Sequence, residues 1–284
     1  MTPLEWNGQL ASIALGVPDV GRSTRFYEDV VGMVGDGQAV QGTAHLGWGL
    51  GAPVLMLSSG SPALEHFALE IPEPAELETL LDRLARHGVD CNERGDGVHV
   101  LSDPDGRELH LHGRVRRPAE HLSSAGRRPI RLQHLTLATD SMTEVLDFYQ
   151  EAMGMRLSDR MGYDFAWLRC GHEHHTIAVV ATATPTLVDH FSFDVAGWQD
   201  FRDWGDRLAS AGVDVTWGPG RHGPGNNLFI MFDDPDGFHV ELSAEMELFH
   251  DDRVEYEPRV WETSARSVNL WGQVPPWRAT QPAA

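Results

Sequence analysis

The chain has 15 histidines and no lysine among its 284 residues, so Schiff-base and lysine-base mechanisms are excluded and imidazole and carboxylate chemistry remains. Three residues could act together. His134 lies in one apolar stretch, His190 opens another, and Glu241 sits in a third. Two histidines and one carboxylate on separate strands are the donor set of the facial triad at non-haem iron(II) sites, which leaves other metal positions open to small molecules. The same residues also read as half-buried strand histidines with no ligand role. Two more groups could contribute: His172-Glu173-His174-His175, and His222 inside the Gly/Pro segment WGPGRHGPGNN at 217–227. Successive strand residues point to opposite faces, so at most one of His174 and His175 can enter a shared pocket. A loop like 217–227 on a rigid scaffold often carries function, although a solvated insertion is the plainer reading.

Linear spacing does not unite these residues, but an internal repeat does. Phe26-Tyr27 and Gly32-Met33 recur as Phe148-Tyr149 and Gly154-Met155. Asp82-Arg83-Leu84-Ala85 recurs as Asp206-Arg207-Leu208-Ala209, and Asp103-Pro104-Asp105-Gly106 as Asp234-Pro235-Asp236-Gly237. A duplicated module keeps its fold in both copies, so chemistry shows as difference. His134 matches Ser12, His190 matches His66, and Glu241 matches His110; the segment around His222 is an insertion confined to the second copy.

Each copy reads as strand, helix, several strands, helix and a closing hairpin. The first strands are 11–17 and 132–139; helices follow at 20–31 and 142–153, with Asp140 or Ser141 as N-cap of the second and Gly32 and Gly154 as stops. Strands at 66–71 and 190–195 precede second helices that end at Gly88 and Gly212, and the Asp-Pro-Asp-Gly turns join the last two strands. Residues 114–128, rich in Arg, Pro, Ser and Gly, read as a linker. The expected organisation is a module at 1–117 without a metal site, a metal-binding module at 129–250, and a tail at 251–284 whose Trp261, Trp271 and Trp277 pack on the modules.

A formal charge of −20 argues against nucleic acid and anionic membrane surfaces as partners. No apolar run approaches the roughly 18 residues of a membrane-spanning helix. The N-terminus lacks a basic segment followed by an apolar run, and the two cysteines, Cys91 and Cys170, have no metal-type spacing. A cytoplasmic location is expected.

On Gln133-His134-Leu135, Cys170 through His174-His175-Thr176, Asp189-His190-Phe191, Gly220-Arg221-His222 and Pro235-Asp236-Gly237-Phe238-His239-Val240-Glu241, the chain resembles the two-module extradiol ring-cleaving dioxygenases of the vicinal oxygen chelate superfamily. The resemblance implies an α+β fold of tandem βαβββ modules with curved mixed sheets, as in glyoxalases. It implies Fe(II), with Mn(II) the lesser choice, on His134, His190 and Glu241. It makes His175 the acid–base catalyst and His222 a hydrogen-bond partner of the substrate. The implied partners are a small aromatic diol and O2, and the implied assembly is a homo-oligomer. One position departs from the family: a tyrosine is replaced by Met231, beside Phe232, and methionine cannot donate a hydrogen bond. Tyr256 and Asn226 or Asn227 are candidates to take over that contact. Met231, Phe232, Asn227 and Tyr256 are therefore the expected substrate contacts, and a substituted diol is the expected substrate. Two other classes stay open: a small-molecule binding protein, and another metal-dependent enzyme of the superfamily.

Overall fold

The computed structural model of the chain describes residues 5–35, 42–48, 52–114, 128–183, 188–250, 256–272 and 274–276. Most of the expected linker and Trp277 fall outside these residues. Each copy builds one mixed sheet, eight-stranded in the first and nine-stranded in the second, and each sheet contains the βαβββ pattern twice. In the second copy the first unit runs Arg131–Thr139, helix Met142–Asp147, Arg156–Met161, Phe165–Arg169 and Ile177–Ala181. Its second unit runs His190–Asp194, helix Trp198–Ser210, Val215–Arg221, Leu228–Asp233 and His239–Ala244. The two opening strands, Arg131–Thr139 and His190–Asp194, pair antiparallel at the centre, and each pairs on its other side in parallel with the closing strand of its own unit. The ninth strand is the tail segment Arg259–Trp261, added in parallel beside Arg156–Met161.

Strict alternation along these strands separates core from cup. Leu135, Leu137, Phe191, Phe193, Ile230, Phe232, Val240 and Leu242 enter a hydrophobic core that runs through both modules. Their neighbours His134, Thr136, His190, Met231 and Glu241 line a pocket on the opposite face.

The repeated motifs join the modules reciprocally. The Tyr27 hydroxyl donates to Asp234 Oδ2 at 2.6 Å, and the Tyr149 hydroxyl donates to Asp103 Oδ2 at 3.1 Å. Arg83 Nε donates to the Glu151 carbonyl at 2.8 Å, and Arg207 Nη2 to the Asp29 carbonyl at 3.0 Å. Each aspartate also closes its own turn: Asp234 Oδ1 accepts the backbone N–H groups of Asp236 and Phe238. Burial, reinforced by the facing aspartates, holds both phenols well above their ordinary pKa, so both remain donors. The first helix of each copy is shorter than its sequence pattern implies. At Tyr27–Val31 and Phe148–Ala152 the α-helix widens into a π-turn, which carries each tyrosine onto the interface. Ser141 stands at the N-cap of the second copy's first helix, but its hydroxyl donates to Asp140 Oδ1 and does not cap.

Candidate metal centre

His134 and His190 lie on the two antiparallel central strands, and Glu241 on the strand parallel to the second. Ser192, the residue paired with His134, also pairs with Glu241, so the register delivers all three side chains to one spot in the cup. Their ligand atoms lie within 4.8 Å of one another, and all three residues are buried. His134 Nε2 is 3.7 Å from Glu241 Oε1, and His190 Nε2 is 3.6 Å from Glu241 Oε2. His222 Nε2 approaches the same Oε2 to 3.6 Å.

The outer sides of these groups are tied down. His190 Nδ1 donates to Asp189 Oδ1 at 2.6 Å and His134 Nδ1 to Gln133 Oε1 at 3.3 Å, which turns both Nε2 atoms inward. Ser192 and Asn227 both donate to Glu241 Oε1 at 3.3 Å. Glu241 Oε2 is buried with no hydrogen-bond partner. An orphaned carboxylate oxygen ringed by imidazole nitrogens is costly as it stands, and a divalent cation removes that cost. The donor set therefore fits the metal that the family implies. Burial lowers the His134 pKa to about 3, and it holds His175 well below the usual imidazole range, helped by His134 and His174 beside it. Burial opposes charge on Glu241 too, but His222 and the surrounding imidazoles outweigh it and bring the carboxyl down to about 2. At neutral pH His134 and His175 are thus neutral beside a carboxylate, the protonation states that suit a metal site.

His175 enters this pocket and His174 does not. The expectation that only one would enter holds, but the strand begins at Ile177, so the segment before it and not strand alternation separates the two. His175 packs on His134, ring centroids 4.3 Å apart. Its Nδ1 lies 3.0 Å from His174 Nδ1, and His174 Nε2 lies 3.0 Å from Asp159 Oδ2. Asp159 in turn accepts two hydrogen bonds from Arg259 and one from Trp261 Nε1–H in the tail. Nothing in the sequence pattern links Asp159 or Arg259 to His175.

The Gly/Pro segment bends His222 over the pocket. Its ring stacks on Phe229 at 3.9 Å, and Nδ1 donates to the Val268 carbonyl in the tail. A Cβ on Gly223 would sit 2.5 Å from the Ser267 carbonyl oxygen, and one on Gly220 would sit 2.5 Å from the Phe229 ring. Glycine is needed at 223 because tail and loop touch backbone to backbone there, and at 220 because the Phe229 ring and the Asn269 side chain fill the space. Phe165, Trp167, Trp217, Pro224 and Val268 complete an apolar slot beside the imidazoles. Sequence reasoning missed these slot residues; the period-two pattern could have found Trp167, whereas Val268 arrives only through the fold.

The four expected substrate contacts divide. Met231 lines the pocket, paired directly with Glu241 across the sheet. Phe232 does not: as the next residue on the strand it faces the core and packs on Phe26, with ring centroids 6.2 Å apart. Asn227 is buried behind Glu241, where it orients the carboxylate, and is not among the pocket-lining residues. Tyr256 packs edge-to-face against Phe249, ring centroids 4.6 Å apart, outside the pocket lining. Neither supplies the missing hydroxyl. Asn226 is exposed. Among the described residues no helix is long and apolar enough to cross a membrane.

Metapyrocatechase 2 of Cupriavidus necator is 37% identical over 121 residues, which is 42% of this chain and 38% of that protein. A manganese-dependent 2,3-dihydroxybiphenyl 1,2-dioxygenase of Geobacillus genomosp. 3 is 25% identical over 88% of both chains. An iron-dependent extradiol dioxygenase of Rhodococcus jostii (strain RHA1) is 29% identical over 72% of this chain and 75% of its own. Among solved structures, a Mn(II)-bound glyoxalase from Novosphingobium aromaticivorans matches with a TM-score of 0.84 at 24% identity, covering 100% of this chain and 96% of that one. The family model described as Glyoxalase/Bleomycin resistance protein/Dioxygenase superfamily matches residues 9–111 and 131–242, one match in each copy, and the chain belongs to that superfamily.

Proposed function

We propose that the protein is an extradiol dioxygenase that cleaves a substituted catechol-type diol with O2, using iron(II) on His134, His190 and Glu241. The observation that carries this reading is the orphaned Glu241 Oε2, which faces His190 and His222 at 3.6 Å in an aromatic-walled slot. Relatives that use iron and relatives that use manganese both support a metal dioxygenase. The choice of iron rests on the facial-triad donor set. When bound, the ion supplies a Lewis-acid site at which a diol and O2 are brought side by side and electrons pass between them.

The chain's own residues do the rest. Neutral His175 carries a lone pair that accepts a proton from a diol hydroxyl, and it returns that proton when the ring opens. The Val268 carbonyl commits Nδ1 of His222 as a donor and so aims Nε2 at the substrate oxygens. Phe165, Trp167 and Trp217 hold the ring by apolar contact and exclude water. Met231 makes one wall adaptable where the family has a hydroxyl, which favours a bulkier diol over unsubstituted catechol.

The test is oxygen uptake by iron-loaded protein over a panel of diols, with ring-opened product followed by its absorbance. Uptake is expected to be fastest with a substituted or bicyclic diol, and Met231→Tyr is expected to move the preference towards catechol by about tenfold. A panel in which diols bind but none supports uptake would replace this reading with that of a binding protein.

A further inference from the structure

We propose that the first module holds a second divalent-cation site, formed by His66, Glu108 and His110. The sequence comparison matched ligand positions one for one and so expected no metal there, because Ser12 stands where the second module has His134. The fold shows a different arrangement in the same cup. His66 pairs directly with Glu108 across parallel strands, Ala63–Ile71 and Glu108–Gly113. His110 is two residues further along and therefore on the same face. Leu109 and Leu111 between and beyond them go to the core. His110 Nε2 lies 2.6 Å from Glu108 Oε1, the His66 and His110 rings stack at 4.1 Å, and the ligand atoms of all three lie within 4.8 Å of one another.

The composition is again two imidazoles and one carboxylate. The carboxylate has moved two residues back along the closing strand, from the position equivalent to Glu241 to that of Glu108. Glu108 is 40% exposed, which leaves a route from solvent. Arg94 pairs with Glu108 at 3.1 Å and competes with an ion for it. The site is therefore weaker than the one in the second module, and it suits an imidazole-preferring first-row cation such as Zn(II) or Co(II).

Metal-stripped protein titrated with Co(II), followed by its visible absorption and by calorimetry, tests this without any turnover. Wild type is expected to take two equivalents. His66→Gln with His110→Gln is expected to take one, as is His190→Gln with Glu241→Gln. Arg94→Gln is expected to tighten the weaker site by about fivefold, because a cation that competes for Glu108 is gone. A single equivalent in wild type overturns the proposal. So does a second equivalent that survives His66→Gln with His110→Gln. If that double variant does not fold, the Arg94→Gln arm decides, and an unchanged weaker affinity overturns the proposal.

Discussion

The two modules share a fold, an interface and a cup, and they differ in what fills the cup. In the second module His134, His190 and Glu241 are buried, with Asp189, Gln133 and Asn227 fixing them from behind and an aromatic slot in front. In the first, His66 and Glu108 are only partly buried, and Arg94 already satisfies the carboxylate. The tail strand Arg259–Trp261 joins the second sheet. The difference teaches that duplication preserved the residues by which the modules hold each other, while the cup was free to diverge. Tyr27, Tyr149, Asp103 and Asp234 are kept because each copy needs the other's partner.

The largest effect should separate the modules outright. His190→Ala is expected to lower metal affinity in the second module by at least about 100-fold, since even supporting residues around a metal cost 10- to 100-fold. Oxygen uptake should fall to background, and metal analysis of anaerobically purified protein reads the loss. His66→Gln should leave uptake intact, and loss of uptake in that variant would break the comparison.

His175→Gln probes chemistry without removing a ligand. The variant should keep its metal and still bind a diol, while turnover drops by about 10²- to 10⁴-fold. Undiminished turnover across the pH range would remove His175 from the mechanism.

Acid should destabilise the metal-free second module. His134 has a folded pKa of about 3 against an ordinary value of 6.5. The unfolded chain therefore binds a proton that the folded one does not, and stability is lost as pH falls from about 6.5 towards 3. Bound metal should raise stability at neutral pH and steepen that loss, since it keeps its ligands deprotonated in the folded state and its stabilisation fades as protons compete for them. Denaturant melts of stripped and loaded protein at several pH values measure it. An equal acid slope with and without metal would contradict the assignment of His134.

The smallest effects should fall at the module interface. Tyr27→Phe takes the 2.6 Å phenol donor from Asp234 Oδ2, at about 1–3 kcal/mol. Tyr149→Phe should cost less, because Asp103 Oδ2 keeps Arg107 Nη1 at 2.7 Å as a donor. The sum of the two should describe the double variant, because the sites share no partner. Denaturant melts measure both costs, and a larger cost for Tyr149→Phe would contradict this reading.

Much of this was legible in residue order. Alternation along 132–139 and 190–194 marks strands, and the recurring motifs mark a duplication. Comparing the copies isolates His134 and Glu241 as changed positions. The period of two even separates Met231 from Phe232, and naming both as substrate contacts overlooked it. Other features were hidden because they join distant segments. Asp159 meets His174 only where the strand Arg156–Met161 runs beside the bend before Ile177, and Arg259 reaches Asp159 only because the tail adds a strand there.

The sequence by itself determined the α+β module, its repetition, and the residue types available in each cup, since these follow from local periodicity and side-chain chemistry. Only the tertiary structure decided that Glu241 Oε2 is left without a partner, that Tyr256 stays outside the pocket while Val268 lines it, and that Glu108 stands beside His66 and His110 in the first cup. Those outcomes depend on strand register and on which chain segment covers which face. One residue of register moves a side chain to the other side of a sheet, so no local pattern can settle what it meets there.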